Sequence, residues 1–380
     1  MSAPRFLQIH TLHTYTSALL NRDDTGLAKR LPYGGVSRTR ISSQCLKRHW
    51  RTADDDPHSL HSIDGAELAY RSRELVTTLV IQPLRDRFPA NVVDAIEPEF
   101  QKAVYGDKGD KGKRSRQTLL FGAPEIAWLA SEAERLAASS DSAAAAKAAV
   151  TDWAKTFKDN IKAMRENSAL PGGLTGALFG RMVTSDVSAN IDAPLHVAHA
   201  FTVHAEEAEG DYFTAVDDLK GDDDDSGADT IQETELTSGL FYGYVVIDMP
   251  ALIRNCGGNQ DLVARVVHNI VYLIAEVTPG AKRGSTAPYG RAELMLIEAG
   301  DRQPRSLAAA YRKPVDNDLD MAVSALDAHL TKLDQAYETG EERRYLALAG
   351  TDVSSAERAS LKTLAEWAAS QVKAASDADA

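Results

Sequence analysis

The 380-residue sequence is poor in cysteine and in long apolar runs, and each scarcity excludes a class of protein. Cys45 and Cys256 are too few for a disulfide framework and lack a Cys-x-x-Cys partner, so we expect reduced thiols in a reducing compartment. No apolar run approaches the ~20 residues that a membrane-spanning helix needs. The first residues, MSAPRFL, lack the apolar core of a signal peptide. We therefore predict a cytoplasmic protein without a membrane partner.

Basic residues are also outnumbered by acidic ones, 42 to 55, so the formal net charge is −13. An acidic chain is normally a poor nucleic-acid binder, since affinity for phosphate comes from lysine and arginine. The acid is nevertheless concentrated: residues 206–235 contain thirteen carboxylates and one base, a net charge of −12. The rest of the chain is close to neutral, so a basic segment elsewhere can act locally.

A basic stretch at residues 20–51 reverses the overall sign of charge. It contains eight basic residues and two acids, Asp23 and Asp24. This density of positive charge predicts contact with a polyanion, and a basic surface patch without a partner is the alternative. The basic residues are Arg22, Lys29, Arg30, Arg38, Arg40, Lys47, Arg48 and Arg51.

The local pattern of this stretch predicts a turn, a strand and a helix, in that order. Pro-Tyr-Gly-Gly at 32–35 is typical of a turn, and residues 36–41 alternate as in a strand with two arginines on one face. Two serines at 42–43 predict the cap of a helix that runs to Arg51. A helix start offers free N–H groups and the positive end of the helix dipole, which favour phosphate. We therefore predict a cradle for several phosphates.

Several short blocks between residues 20 and 242 carry a recognisable signature. They are LNRDD at 20–24, GG at 34–35, RISSQCLKR at 40–48, ALFGRM at 177–182, VAHA at 197–200, DYFTAVDDL at 211–219 and SGLFY at 238–242. These blocks resemble the CasC family, the repeated backbone subunit of the type I-E CRISPR surveillance complex, Cascade. The resemblance is specific because the blocks are long and ordered.

The order of predicted elements and the resemblance favour one fold class. We expect an α+β protein with a ferredoxin-like, RRM-like antiparallel sheet, in which residues 293–298 form the last core strand. The resemblance implies a palm, helical fingers and an extended thumb within one domain, 1–380. The predicted parts are palm 1–52, 183–204 and 238–315, fingers 53–182, thumb 205–237, C-terminal helices 316–369 and a disordered tail 370–380.

Candidate RNA contacts follow from the basic stretch and from the resemblance. Met182 is implied by the resemblance to be a wedge against a displaced base, and a core methionine is the alternative. Lys282 and Arg283 belong to a glycine-rich loop at 278–288 whose amides are predicted to hold phosphate. The full set of candidates is Arg22, Lys29, Arg38, Arg40, Ser42, Gln44, Lys47, Arg48, Arg51, Met182, Lys282 and Arg283.

A second basic segment lies at residues 101–117. Its glycine spacing does not fit a nucleotide-binding loop, so we predict a flexible arm that touches nucleic-acid backbone, with a solvated loop as the alternative. The candidates for contact with target DNA are Lys108, Lys111, Lys113, Arg114 and Arg116.

No metal or cofactor is expected. Strand alternation separates His10 from His13 and divides the three histidines between 196 and 204 over two faces. Residues 222–233 have the oxygen-ligand spacing of a calcium loop, but Asp229 stands where an aliphatic residue is needed, so a solvated acidic tip is favoured.

The resemblance implies a non-catalytic backbone subunit of type I-E Cascade. It would oligomerise along crRNA, bind the sugar-phosphate backbone and present bases for pairing with target DNA in antiviral defence. The implied partners are crRNA, target DNA, further copies of this chain, and the large, small, tail-capping and crRNA-processing subunits. Two alternatives remain: a metal-dependent RNA-cleaving backbone subunit, as in type III systems, and a monomeric RNA chaperone. Asp23 and Asp24 are expected to orient Arg22 and to cap their loop.

Overall fold

A computed structural model describes residues 4–66, 69–183, 186–215 and 230–374. Among these residues the strands are β1 Phe6–Ala18, β2 Arg30–Tyr33, β3 Val36–Ile41, β4 Ala69–Ser72, β5 Leu119–Gly122, β6 Leu195–Val197, β7 Ala200–Thr202, β8 Ala208–Ala215, β9 Thr230–Asp248, β10 Ala292–Gly300, β11 Glu342–Ala347 and β12 Glu357–Arg358. The α-helices are α1 Ser43–Arg51, α2 Gln82–Arg85, α3 Ala90–Tyr105, α4 Ala123–Ala138, α5 Ala143–Glu166, α6 Gly173–Phe179, α7 Met249–Asn255, α8 Gln260–Glu276, α9 Arg283–Thr286, α10 Leu319–Tyr337 and α11 Leu361–Ala374.

The described residues form two compact units. Unit 1 comprises those within 1–60, 196–247 and 264–380, and unit 2 comprises those within 61–195 and 248–263. The division into palm, fingers and thumb stays a prediction. No helix among the described residues is long and apolar enough to cross a bilayer.

Unit 1 is built on a large sheet with the strand order β12-β11-β10-β1-β9-β7-β3-β2. The pairs β1–β10, β10–β11, β7–β9, β3–β7 and β2–β3 are antiparallel, whereas β11 and β12 are parallel. The first seven residues of β1 are all buried, which is the pattern of a strand covered on both faces. The predicted fold class, an α+β protein with an antiparallel sheet, is confirmed.

The prediction that residues 293–298 form the last strand is wrong. β10 continues to Gly300, and β11 adds to its edge, with Arg343 opposite Glu298. In the sequence, β11 looks like a charged, exposed segment. Its Arg343 is buried because it forms ion pairs with residues that are distant along the chain. The sequence pattern therefore hides a strand that the sheet contains.

Those ion pairs form a buried network at the centre of the sheet. Glu298, which has no exposed surface, accepts hydrogen bonds from His10 Nε2 (2.9 Å), Arg305 (2.7 Å to each oxygen) and Arg343 Nε (2.6 Å). Arg343 also donates to Asp334 at 2.6 and 2.7 Å. The pKa of Glu298 is held below its usual range because these donors outweigh the effect of burial. Every charge in this network has a counter-charge.

Helix α1 packs on the sheet through a small apolar cluster. Tyr15, Leu20, Ile41 and Phe241 are buried in it, and Cys45 and Leu46 of α1 pack against it. The cluster fixes α1 directly after β3, so the helix begins at the edge of the unit 1 sheet.

Unit 2 is mainly helical. Helices α3, α4 and α5 share an apolar core that includes Phe100, Leu129 and Trp153. Within this unit, the buried carboxylate of Glu125 forms ion pairs with Arg165 and Arg181, each with an N–O distance of 2.6 Å. Residues 69–72 form β4, and helical residues follow from Val76 to Arg85.

The acidic segment is described only at its base. β8 and β9 pair antiparallel from Ala208 opposite Thr237 to Ala215 opposite Thr230. Most of the calcium-like motif at 222–233 lies outside the described residues. At the base, Glu206 and Glu235 both bind the guanidinium of Arg30, so these carboxylates hold the hairpin against β2.

Candidate nucleic-acid interface

Backbone hydrogen bonds in unit 1 bring together residues that are far apart in the basic stretch. The amide of Lys29 donates to Asn21 O at 3.0 Å, and the amide of Arg40 donates to Lys29 O at 2.8 Å. The amide of Ser42 donates to Asn21 Oδ1 at 2.8 Å. The loop before β2, the end of β3 and the start of α1 therefore lie side by side, as a phosphate cradle requires.

The start of α1 has the structure that the two serines predict. Ser42 caps the helix, because its hydroxyl accepts the amide of Cys45 at 3.3 Å, and α1 then runs from Ser43 to Arg51. This use of the hydroxyl, together with burial to 6% exposure, makes Ser42 a structural cap rather than an open RNA contact. Gln44, in the first turn, is exposed.

Lys47 is the most informative charge on α1. Burial alone lowers the pKa of its ammonium group, and no carboxylate of the described residues pairs with it. Partial desolvation of a cation without a counter-charge is unfavourable, and a bound phosphate would compensate it. Arg51 is on the same helix face, four residues later.

Three further cations surround the cysteine and histidine of this region. Burial raises the pKa of the Cys45 thiol to about 11, although the charges of Lys29 and Arg48 oppose the rise. Burial, Arg40 and Lys29 together lower the pKa of His199. Lys29 acts on both groups, so these three cations lie near one another. We call Arg22, Lys29, Gln44, Arg40, Lys47, Arg48 and Arg51 the basic surface.

Arg38 is a correction to the predicted contacts. Its side chain has no exposed surface, and its guanidinium donates to Tyr311 O at 2.9 Å and Thr202 O at 3.0 Å, with a longer bond to Tyr33 O at 3.3 Å. The alternation of β3 correctly predicts a strand, but it does not reveal that the side chain of Arg38 is buried against backbone carbonyls. This arginine supports the fold rather than the basic surface.

Arg22 and the two acids beside it lie in a tight loop. Arg22 is exposed and forms an isolated bridge with Ala28. Asp23 Oδ1 accepts the amides of Thr25 at 2.9 Å and Leu27 at 3.1 Å, so it caps the loop as expected. Within the described ranges, no group of three or more His, Cys, Asp or Glu side chains could hold a metal ion.

The glycine-rich loop at 278–288 lies next to the end of β1. Ala281 forms a bridge with Leu19, and its amide donates to Leu19 O at 2.8 Å. Lys282 and Arg283 follow and are exposed. The amides of residues 285–287 already bond to carbonyls of Lys282 and Arg283, so they are not open for the predicted nest.

Met182 belongs to unit 2 and is 73% exposed. A core methionine, the alternative that the sequence left open, is therefore wrong. The neighbouring Arg181 is buried and donates to Glu125 at 2.6 Å, which fixes the backbone from which Met182 projects.

The segment at 101–117 contains regular backbone structure. It includes the end of α3 and a 3-10 turn at Lys113–Ser115. Arg116 is a correction, because it is buried and donates to Gly109 O and Gln101 Oε1, each at 2.7 Å. Lys113 pairs with Glu74 at 2.7 Å, whereas Lys108, Lys111 and Arg114 are exposed.

His199, which sequence reasoning considered only as a metal ligand, lies beside Arg40 of the basic surface. It is exposed, and its Nδ1 lies 2.8 Å from an NH group of Arg40. The pairing of β3 with β7, with Arg40 opposite Phe201, brings them together. That register is a long-range contact with no local sequence signal.

Comparisons with known proteins agree with this architecture. The chain matches the family model Cas_CT1975, CT1975-like protein, over residues 7–370. A chain of the solved structure "CRISPR RNA-guided surveillance complex, pre-nicking" is 27% identical, with a TM-score of 0.80, and the match covers 97% of this chain and 100% of that chain. A chain of "CRISPR RNA-guided surveillance complex" is 21% identical, with a TM-score of 0.59 over 96% of this chain and 98% of that chain, and shows likeness of fold alone. No curated protein sequence matches.

The resemblance carried by the sequence motifs is confirmed at the level of family and fold, whereas the type I-E subtype stays a prediction. The family model covers nearly the whole chain, including the basic stretch, both arms of the hairpin and the closing strands. This chain belongs to the CT1975-like protein family.

Proposed function

We propose that this chain is a non-catalytic backbone subunit of a CRISPR Cascade complex of type I-E, acting in the cytoplasm. Several copies line up along a crRNA, bind its sugar-phosphate backbone and leave the bases free to pair with target DNA. The 27% identical chain with a TM-score of 0.80 comes from an RNA-guided surveillance complex and matches over its full length, which supports this function.

The observation that carries the proposal is the uncompensated charge of two lysines of the basic surface. Lys29 and Lys47 form no ion pair with any described residue, and Lys47 is half-buried. Protein cations that lack counter-charges bind a polyanion with release of its counterions. Contacts of this kind grip every nucleotide alike, so they fix register and do not read sequence.

Assembly along the RNA is the second part of the proposal. One surface of a subunit would contact a different surface of the next, and such a head-to-tail contact produces an open helical array. The RNA and the subunits at each end would limit its length. Other Cascade subunits and further copies of this chain are the expected protein partners.

A double substitution tests the RNA contact. Lys47→Glu with Arg51→Glu reverses two charges on one face of α1, so we expect guide-RNA affinity to fall at least about tenfold at physiological salt. The matched control is Lys147→Glu with Lys158→Glu, which makes the same charge change at exposed positions of α5. Native mass spectrometry of the wild-type complex counts the chains on each RNA. Unchanged affinity in the first variant, or a single chain per long RNA, would contradict the proposal.

The non-catalytic role is tested on the bound RNA itself. The expected result is that RNA in the complex stays intact in the presence of Mg²⁺. Magnesium-dependent cleavage that Asp24→Ala abolishes would instead establish the alternative, an RNA-cleaving backbone subunit.

A further inference from the structure

His199 lies at the basic surface in an arrangement that leaves it uncharged. Arginine can only donate hydrogen bonds, so the 2.8 Å contact requires Nδ1 of His199 to accept from Arg40. The neutral ring then carries its proton on Nε2, which is a donor on an exposed side chain. Arg40 is itself oriented by a second bond, from Nε to Arg30 O at 3.2 Å.

The charged groups that act on His199 are both cationic. Arg40 comes from β3, and Lys29 comes from the loop before β2; together with burial they lower the pKa of the imidazole. The amide of Arg40 is tied to Lys29 O at 2.8 Å, so these two residues are fixed relative to each other. A third positive charge is therefore disfavoured here as long as no anion is bound.

We propose that His199 is a phosphate-contact residue of the basic surface, and that an RNA phosphate bound beside Arg40 and Lys29 draws a proton from solvent onto its imidazole. The phosphate supplies the negative charge that the two cations lack, so it offsets their repulsion of a protonated ring. Protonated His199 donates from both nitrogens, and Arg40 turns its released N–H toward the same phosphate. This inference rests on the proposed RNA binding and adds that the binding is coupled to the uptake of one proton by His199.

The consequence is a binding equilibrium that depends on pH through one side chain. RNA raises the pKa of His199, so the complex takes up a proton wherever the free ring is neutral and the bound ring is charged. Affinity then increases as the pH falls through that window, by about tenfold for each unit by which RNA raises the pKa.

The experiment measures affinity for oligouridine between pH 8 and pH 5.5 at constant salt. Uracil does not gain a proton in this range, so changes in affinity come from the protein. The variant is His199→Gln, whose amide oxygen can still accept from Arg40 but cannot be protonated. The matched control is His196→Gln, which removes an exposed histidine of the neighbouring β6.

We expect the wild type and His196→Gln to gain affinity in parallel as the pH falls, and His199→Gln to gain less while matching them at pH 8. A second readout is the pKa of His199 from NMR titration, which should rise when oligouridine binds. Identical pH profiles for wild type and His199→Gln, or a pKa that RNA does not change, would overturn the inference. Absence of RNA binding by all three proteins at every pH would instead contradict the proposed function.

Discussion

Two charged regions of unit 1 differ in how their charges are balanced. Around Glu298, both arginines have a carboxylate within 2.7 Å, and the network joins β1, β10 and β11. On the basic surface, Lys29 and Lys47 have no carboxylate partner among the described residues. Cations that are paired with carboxylates help to hold the sheet together, whereas cations without a carboxylate partner remain available to bind a polyanion.

The same contrast occurs within the basic stretch itself. Arg30 is neutralised by two carboxylates at the base of the hairpin, and Arg38 is buried against backbone carbonyls. Lys47 lies only nine residues after Arg38, yet it is half-buried without a partner. A count of basic residues therefore overstates the surface that is open to RNA, and partner atoms decide which of them take part.

The largest expected effect comes from breaking the balanced network. Glu298→Gln keeps the size of the side chain but leaves Arg305 without its carboxylate, so we expect the free energy of unfolding to fall by about 3–5 kcal/mol. Urea denaturation followed by circular dichroism measures it. The control is Glu357→Gln, in which an exposed carboxylate loses its contact with the partly buried Arg344 and the change should stay below about 1 kcal/mol. Equal effects in the two variants would show that the network does not hold the sheet.

A pair of methionine substitutions sharpens the comparison inside the basic stretch. Arg38→Met removes the donors that the guanidinium supplies to the carbonyls of Thr202 and Tyr311, so we expect a loss of stability of about 2–3 kcal/mol. Lys47→Met keeps the buried stem and removes a desolvated charge, so stability should change by less than about 0.5 kcal/mol.

RNA affinity should show the opposite ranking. Lys47→Met is expected to weaken guide-RNA binding severalfold, and Arg38→Met should bind normally at a temperature at which it is folded. Weaker binding by Arg38→Met than by Lys47→Met, with both proteins folded, would contradict the assignment of the two roles.

The sequence predicted those parts of the structure that have local signals. The alternation of 36–41 became β3, and the paired serines became the cap and start of α1, because strand period and helix capping depend on neighbouring residues. The exposure of Met182 agrees with what the family resemblance implied and not with the core alternative.

What the sequence missed depends on contacts between distant residues. β11 was hidden because Arg343 looks exposed until Glu298, 45 residues away, is placed opposite it. Arg116 looked like part of a basic arm, although Gln101 and a glycine carbonyl enclose it. The partnership of His199 with Arg40 spans 159 residues and follows only from the pairing of β3 with β7.

The most direct test of the account is the salt dependence of oligouridine binding by wild type and Lys47→Gln. Each phosphate contact that is lost lowers the slope of log affinity against log salt concentration by about 0.7 for a single strand. We predict that Lys47→Gln has the smaller slope by about that amount, with unchanged stability. Parallel slopes for the two proteins would contradict the claim that unbalanced charge on α1 grips the RNA backbone.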